Sequence, residues 1–372
     1  MNIFRRSRRW VLPSRTLAWY VGKLTLTRFL AFLIGLVVVL QVLDLMGKSD
    51  NILEVDGATS ASLVRYVMLR APQLISQFTP FAALLAIVTV LASLNQTSEI
   101  VVMKAAGMSA FHIIAPAAAI TLGIAGLHMA FNELVLMKTN AELTYWQDND
   151  YAIDLPDEAP NATRSWVEEE RTVIQIGAIT KGGSRLVIDG LTLFDRAPSG
   201  TLEKITNAAF ASFDGSTWKL YEIEETTLPD LAVSRKDAAL WGTSVPPERF
   251  IALAVKPDRT PYWELSAAIK DLKAEGYPTA LLDASLMHKI SGPLSTILMP
   301  LLGAVAAFGS SRGGQLFVRV VLGMGLGFAF FVADNLLVAL GQFGASPPLL
   351  SAWAPFAVFA LLGVTVLLYT EE

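Results

Sequence analysis

The sequence contains no cysteine, so disulfides, thiolate catalysis and cysteine-based metal sites are excluded. It is also poor in charge: Asp, Glu, Lys and Arg make up 17% of the chain, against about 25% in average soluble domains. Its three histidines lie far apart and lack the spacing of metal ligands. No phosphate-binding loop, nucleophile elbow, zinc-protease motif or dinucleotide fingerprint occurs. We therefore expect a chain that performs no covalent chemistry and holds no cofactor of its own.

Long apolar runs account for the missing charge. Hydrophobic residues make up 53% of the chain, and its mean hydropathy is +0.48. A transmembrane helix needs about 20 consecutive apolar residues, and six runs meet that length. In the second run Pro72 and Pro80 predict kinks. The six predicted spans are residues 24–47, 64–94, 110–132, 286–309, 316–340 and 349–369.

The charges that remain are distributed unevenly. Residues 133–289 carry 16 basic and 25 acidic side chains, while the rest of the chain carries 13 and 8. The middle is therefore predicted to be a separate, water-exposed domain. Seven basic residues and no acid lie in residues 1–28, so the positive-inside rule places both termini in the cytoplasm. The middle domain then lies outside the membrane, in the periplasm of a bacterium, and no segment resembles a nucleic-acid-binding surface.

The polar middle is predicted to be an all-β domain. Short runs of β-branched and aromatic residues alternate with glycine-rich turns, a pattern typical of a sandwich, jellyroll or barrel. We expect strands over 172–176, 185–189, 191–194, 208–213 and 218–223, separated by turns at 182–183, 189–190, 198–200 and 214–215. The predicted fold is thus an α-helical membrane protein with six transmembrane helices and an inserted periplasmic, jellyroll-like β domain. Its parts are transmembrane helices with a short cytoplasmic helix (1–135), the β domain with a helical linker (136–280), and the last three spans (281–372).

A short amphipathic stretch, residues 97–108, separates spans two and three on the predicted cytoplasmic side. Ser98 can cap a helix whose first turn holds Glu99, Lys104 supplies a base, and Gly107 can end the helix. A short apolar helix between two spans has to cover its apolar face. It is either a reentrant or interfacial turn, or a helix that docks in a groove of a cytoplasmic partner.

Charges at the outer ends of the spans are candidates for substrate binding, because charge within a membrane is costly. Asp44 and Asp334 lie near the outer ends of spans one and five, Lys48 follows span one, and Arg65 and Arg70 open span two. Such a ring could hold a phosphorylated, sugar-bearing headgroup, with the bases on the phosphates. The alternative is a set of interfacial side chains that extend to the headgroup region.

Aromatic side chains in spans two and five could line an acyl-chain cavity, or could simply pack or face lipid. The candidate substrate-binding residues are Gln41, Asp44, Lys48, Arg65, Arg70, Phe78, Phe81, Arg319, Phe331 and Asp334. The membrane midplane is nearly uncharged, whereas gradient-driven carriers usually place ionisable groups there. Energy for transport would therefore have to come from outside the membrane.

Four stretches together carry a resemblance to a known family over essentially the whole chain. They are residues 97–109 (TSEIVVMKAAGMS), 288–294 (HKISGPL), 319–328 (RVVLGMGLGF), and the segment from 333–335 (ADN) to Pro347 and Pro348. This combination resembles the LptF/LptG permeases of lipopolysaccharide export. Residues 20–23 (YVGK), 42–44 (VLD) and 72–85 are more similar to the LptG branch.

The resemblance implies two such permeases, one of the LptF type, on a dimer of the ATPase LptB, which binds ATP and Mg. Residues Ser98, Glu99, Lys104 and Gly107 would belong to a coupling helix, whose glutamate meets a basic residue of the ATPase. The β domain would pass lipopolysaccharide to LptC and then to LptA. One departure is that relatives can carry a lysine in the outer half of span one, where this chain has Gln41 and no lysine before Lys48.

The predicted function is that of a permease subunit, not an enzyme, in the bacterial inner membrane. It would extract lipopolysaccharide from that membrane and pass it to a periplasmic bridge, driven by a separate ATPase. The alternative is a membrane-anchored periplasmic binding or scaffold protein without a transport cycle. A gradient-driven transporter is disfavoured by the uncharged midplane.

Overall fold

The computed structural model describes residues 15–153, 165–182, 185–228, 230, 232–247, 250, 255–274, 276, 279–307 and 316–369. It combines a helical membrane part with an inserted antiparallel β-sheet, as predicted. The helices are α1 (Arg15–Leu53), α2 (Ser60–Gln96), α3 (Glu99–Ala105), α4 (Ala110–Phe131), α5 (Met137–Asp148), α6 (Tyr262–Ala274), α7 (Ala280–Leu294), α8 (Met299–Ala307), α9 (Leu316–Gln342) and α10 (Pro348–Tyr369). A π-helical turn (Asn132–Leu136) joins α4 to α5, and a 3₁₀ turn (Ser295–Leu298) joins α7 to α8.

Five helical stretches of the described residues are long and apolar enough to cross a membrane. They coincide with predicted spans one, two, three, five and six. Both Pro72 and Pro80 lie inside α2, which continues as one helix of 37 residues. The third stretch runs from Ala110 to Asp148, because the π-helical turn continues α4 into α5 without a break.

The predicted fourth span is interrupted. Residues 280–307 are divided among α7, the 3₁₀ turn and α8, so no single helix of spanning length is present in this described segment. Pro293 lies in the last turn of α7 and Pro300 in the first turn of α8. Proline removes a backbone donor and clashes with the preceding turn, which accounts for the break. The Ser295 hydroxyl donates to the Gly292 carbonyl oxygen at 2.5 Å and satisfies one of the groups there.

The membrane part is packed around α2. Leu84, Ile87 and Leu91 of this helix are completely buried. Helix α9 reaches α2 through Gly327, where an added Cβ would lie 1.9 Å from Leu84 Cδ2. Only glycine allows the two helices to approach this closely, so Gly327 fixes the position of α9 against the core.

The insert is a six-stranded antiparallel sheet whose strands follow one another in sequential order. All five predicted β segments lie in strands, and one face buries Ile174, Ile176 and Ile188 completely. Neither edge strand was predicted, because the first has only five residues and the last is almost entirely exposed, with charged residues at its centre. The strands are β1 (Ser165–Glu169), β2 (Thr172–Gly182), β3 (Arg185–Arg196), β4 (Leu202–Phe213), β5 (Trp218–Thr227) and β6 (Ala232–Trp241).

The predicted turn at Asp214 and Gly215 is present between β4 and β5, and Gly215 has φ +100°. The Asp214 carboxylate accepts hydrogen bonds from the backbone N–H groups of Thr217 and Ser216 at 3.0 Å each. These donors stabilise the charged form and hold the pKa of Asp214 at about 2.

The prediction of a turn at Asp189 and Gly190 is wrong, because both residues lie within β3. Gly190 has φ +71°, and it lies where β3 passes Gly177 of β2. A Cβ on Gly177 would lie 2.1 Å from the Asp189 carbonyl oxygen. Gly177 therefore allows the close approach of the two strands, and Gly190 supplies a left-handed residue within β3 and not a reversal of the chain.

Replacing Gly177 by alanine is expected to destabilise the β domain by about 1–3 kcal/mol, because the new methyl group overlaps backbone that cannot move away easily. The measurement is the rate of limited proteolysis within the β domain of the full chain in detergent. Gly242→Ala is the matched control, since none of the described residues comes within 4 Å of an added Cβ there. Equal proteolysis of the two variants would contradict this packing.

Candidate functional site

Helix α3 begins at Glu99, as predicted, but Ser98 does not cap it. Ser98 has φ +59°, and its side chain forms no capping hydrogen bond to the described helix. The first turn is instead fixed through the Glu99 carboxylate. Its Oε1 accepts from the Thr97 hydroxyl at 2.8 Å and from the Tyr20 hydroxyl at 3.3 Å. Glu99 thus links the start of α3 to the end of α2 and to α1.

The predicted end of α3 at Gly107 is confirmed. Gly107 has φ +82°, and its N–H donates to the Lys104 carbonyl oxygen at 2.9 Å. The N–H of Met108 donates to the Met103 carbonyl oxygen at 3.1 Å. These two bonds form a Schellman motif, which needs a left-handed residue at this position. Lys104 lies in the last turn, where a cation complements the helix dipole.

The two faces of α3 differ in exposure. Ile100 and Met103 are buried and join the core of the membrane part. Val101 and Val102 point the other way and are 57% and 66% exposed. An exposed valine pair on a short helix, held at both ends, is a rigid apolar surface outside the helical core.

Three of the five predicted outer charges, Asp44, Arg65 and Arg70, form ion pairs within the chain. The Asp44 carboxylate of α1 accepts from the Tyr66 hydroxyl at 2.6 Å and from Arg70 Nε and Nη2 at 3.2 and 3.1 Å. Arg70 also donates to the Gln73 side chain. The bidentate contact between Arg70 and Asp44 joins α1 to α2 near their outer ends. We call these four residues, Asp44, Tyr66, Arg70 and Gln73, the outer cluster.

Three more predicted residues lie around α1 and α2 but outside the outer cluster. Arg65 donates to Glu142 of α5 at 2.9 Å, and its guanidinium lies 4.9 Å from the ring centre of Trp146. Lys48 is exposed and has no ion-pair partner among the described residues. Gln41 is buried, and its two amide atoms have no partner in the part of the chain that the structure describes.

A cavity of about 330 Å³ lies between α2, α4, α7 and α9. It brings together Phe81, Phe331 and Asp334 from the predicted set. Phe78 is half-buried in α2 and is absent from the described lining of the cavity. The side chain of Arg319 lies outside the described residues. The cavity also includes residues that the sequence did not single out: Ser76, His128, Asn132, His288 and Lys289.

An ion pair joins the two connections between membrane and β domain. The Glu133 carboxylate, in the π-helical turn, accepts from the backbone N–H of Tyr262 at 2.7 Å. Its other oxygen lies 3.5 Å from Lys289 Nζ of α7. Glu133 lies two residues after the end of α4, while Tyr262 opens α6 and Lys289 belongs to the returning span. We call these three residues, Glu133, Tyr262 and Lys289, the clasp. The sequence did not predict this contact, because the three residues are far apart in the chain.

The loop before α6 is fastened to the same region. Asn140 of α5 donates to the backbone and side-chain oxygens of Asp258, at 3.3 Å each. Nearby, burial lowers the pKa of Lys256, and the Arg259 charge lowers it further. Pro257 and Asp258 line the cavity, so the connection from the β domain lies directly against it.

Comparison with known proteins agrees with this architecture. The family model "Lipopolysaccharide export system permease LptF/LptG" matches residues 19–369. The chain is 26% identical to the lipopolysaccharide export system permease protein LptG of Escherichia coli K12 over 366 residues, 96% of this chain and 99% of that relative. It is 25% identical to the protein of the same name from Haemophilus influenzae over 366 residues, 93% and 96% of the two chains. With its helical spans and inserted β-sheet, the chain belongs to the LptF/LptG family of lipopolysaccharide export system permeases.

Proposed function

We propose that this chain is a permease subunit of an ABC transporter that extracts lipopolysaccharide from the bacterial inner membrane. A separate ATPase supplies the energy, and the β domain passes the lipid to a periplasmic bridge. Membership of the family supports the transport role. The proposed coupling to an ATPase is supported by one observation, which is the rigid, exposed apolar face of α3.

Helix α3 suits a docking surface because its geometry is fixed before any partner binds. Glu99 holds its start against Tyr20, and the Gly107 motif fixes its end. The exposed face of Val101 and Val102 is small enough to enter a groove on a partner. A push on this face is transmitted to α1 and α2 through the contacts of Glu99, Ile100 and Met103.

The partners follow from the family's transport system. They are an LptB-type ATPase dimer on the cytoplasmic side, an LptF-type second permease in the membrane, and an LptC- and LptA-type bridge. ATP and Mg belong to the ATPase. We place both termini in the cytoplasm and the β domain in the periplasm, in agreement with the seven basic residues at 1–28.

For the substrate, we propose that Lys48 meets a headgroup phosphate at the outer surface, since Arg65 and Arg70 already have carboxylate partners. Phe81 and Phe331 face a cavity that is open to an acyl chain. The outer cluster then serves to hold α1 against α2, and a phosphate reaches Arg70 only by displacing Asp44.

Val102→Asp is expected to reduce the amount of ATPase that copurifies with the full chain at least tenfold. An aspartate on this face places an unpaired charge in the proposed apolar contact, which costs several kcal/mol. Glu99→Ala is expected to weaken copurification less, because it loosens α3 without changing the exposed face. The measurement is quantitative mass spectrometry of the chain purified from its native membrane in mild detergent.

The matched control is Val233→Asp in the edge strand β6, where the valine is 56% exposed. It should leave the ATPase bound. If Val102→Asp and Glu99→Ala both retain the ATPase and export, α3 is not the docking helix. If the unmodified chain is recovered without any ATPase or second permease, the scaffold function is favoured instead.

A further inference from the structure

The turn between α9 and α10, residues 343–347, presents an exposed aromatic side chain. Phe343 is 87% exposed, more than any other large hydrophobic side chain of the described residues. Residues 335–370 contain no charged side chain. Leu340 on one side of the turn and Leu349 on the other are exposed as well, so one apolar surface runs from α9 across the turn to α10. Turns between spans ordinarily lie in water, and an exposed apolar surface there indicates a contact.

The backbone of this turn satisfies its own donors. Its N–H groups bond to carbonyl oxygens in the last turn of α9: Phe343 to Ala339 at 3.0 Å, Gly344 to Gly341 at 3.0 Å, and Ala345 to Leu340 at 2.9 Å. The last two bonds form a Schellman motif around Gly344, whose φ is +73°. Pro347 and Pro348 have no N–H group to satisfy. Hydrocarbon admits a backbone only when its polar groups are bonded internally, and the donors of these residues are bonded or absent.

Helix length places the turn at the edge of the hydrocarbon. Helix α10 has 22 residues, about 33 Å at 1.5 Å per residue, and the hydrocarbon core is about 30 Å thick. Glu371 and Glu372 follow this helix and have to lie outside the core. The turn, at the other end of α10, therefore lies at the opposite boundary of the core and not far out in water.

The junction of α1 and α2 is the opposite case. These helices have 39 and 37 residues, about 58 and 55 Å, so they are long enough to extend well beyond the hydrocarbon. Residues 48–56 at their junction include four charged side chains, Lys48, Asp50, Glu54 and Asp56. The nearby contact of Arg65 with Glu142 of α5 places this junction on the side of the β insert. One turn on that side is thus built for water, and the other is apolar throughout.

The apolar turn is held firmly against the rest of the membrane part. Gln342, the last residue of α9, donates to the Ser285 hydroxyl of α7 at 3.5 Å, where the chain returns from the β insert. Gly341 packs so closely against Ser351 of α10 that an added Cβ would lie 2.3 Å from its Oγ. The Ser351 hydroxyl donates to the Pro347 carbonyl oxygen at 3.0 Å. Phe343 is therefore presented by a fixed turn on the β-insert side of the membrane.

We propose that this turn anchors the chain in the leaflet on the side of the β domain. Phe343 inserts below the headgroups into the hydrocarbon, with Leu340 and Leu349 beside it, whereas the charged junction of α1 and α2 stays in water. The occupant of this surface is the bilayer itself and not a second protein. The anchor sets the depth of the end of α9 beside the cavity, whose wall includes Gln342. It requires neither an ATPase nor export, so it stands apart from the proposed function.

The test measures the depth of the turn with a nitroxide spin label. The chain has no cysteine, so Ala345→Cys carries the label at a single site and leaves the Phe343 ring in place. The full chain is placed in phosphatidylcholine nanodiscs, and power saturation compares collisions with O₂ and with negatively charged chromium oxalate, which is excluded from hydrocarbon. Ala61→Cys is the matched control, an exposed alanine at the start of α2 on the same side. The ratio of O₂ to chromium collisions is expected to be at least about tenfold higher at 345 than at 61.

A second substitution tests whether Phe343 holds the turn at this depth. Phe343→Asp, combined with Ala345→Cys, should lower the ratio at 345 about tenfold, because a charge is driven out of hydrocarbon. Phe343→Leu keeps an apolar side chain and should leave the ratio unchanged. Equal ratios at 345 and 61, or no effect of Phe343→Asp, would overturn the proposal. Shielding of 345 from both reagents would overturn it too, since a protein would then cover the turn.

Discussion

Replacing Glu133 by glutamine should lower the free energy of unfolding by about 3 kcal/mol. The carboxylate and the Lys289 ammonium are only 13% and 11% exposed. Removal of one partner of a buried ion pair leaves the other charge uncompensated, which costs about 3–5 kcal/mol. Glutamine keeps an acceptor for the Tyr262 N–H, so the loss measures the charge and not the backbone contact. We take the lower end of the range because the Glu133–Lys289 distance is 3.5 Å.

The measurement is the thermal unfolding midpoint of the full chain in detergent, where a loss of this size corresponds to a drop of roughly 5–10 °C. Glu224→Gln is the control, since its partner Arg235 is 79% exposed and exposed pairs contribute at most about 1 kcal/mol. Lys289→Met should be as harmful as Glu133→Gln. The double variant should recover much of the loss, because no unpaired charge remains. If the losses simply add, the clasp is not an ion pair in the folded chain.

Replacing Asp44 by alanine should lower the free energy of unfolding by about 2–3 kcal/mol. The carboxylate accepts from Tyr66 and from two nitrogens of Arg70, and hydrogen bonds to a charged group contribute about 1.5–3 kcal/mol. The Asp44 and Arg70 side chains are 23% and 25% exposed, so solvent screens part of the ion pair. Tyr66→Phe removes one hydrogen bond and should cost about 1 kcal/mol.

Asp50→Ala is the matched control further along α1, where the aspartate is exposed and, among the described residues, its carboxylate accepts a hydrogen bond only from the Ser49 hydroxyl at 3.4 Å. It should leave the unfolding midpoint unchanged. A different result would reassign the outer cluster: if Asp44→Ala leaves stability intact and abolishes export, Arg70 serves the substrate and not the contact between α1 and α2.

The membrane architecture was predictable because apolar run length is a local property of the sequence. Five predicted spans coincide with continuous helices, and the end of α3 follows from one glycine that takes a left-handed conformation. The predicted β runs were found for the same reason, since their β-branched and aromatic residues are consecutive. In each of these cases a few neighbouring residues determine the outcome.

The errors arise where distant contacts override local preference. Ser98 has the right type for an N-cap, but the contact of Glu99 with Tyr20, 79 residues earlier, fixes the start of α3. Gly190 resembles a turn residue, but it faces Gly177 across two strands. The fourth span is a different case, since it is interrupted by Pro293 and Pro300 within its own apolar run.

The candidate site was predicted less completely than the fold. Phe81, Phe331 and Asp334 do share a cavity, although their spacing in sequence could not show it. The clasp was missed because Glu133 and Lys289 are separated by the whole β insert. Charge alone could not distinguish a residue that binds a headgroup from one that joins two helices, as Arg70 illustrates.

The most direct test of the account is ATP-dependent transfer of lipopolysaccharide. The chain is reconstituted in liposomes with the ATPase and second permease that copurify with it, and labelled lipopolysaccharide is captured by a soluble bridge protein. We expect transfer with ATP, none with a non-hydrolysable analogue, and a loss of at least tenfold in Val102→Asp but not in Val233→Asp. Transfer that proceeds equally without ATP, or that is unaffected by Val102→Asp, would contradict an ATPase-driven permease coupled through α3.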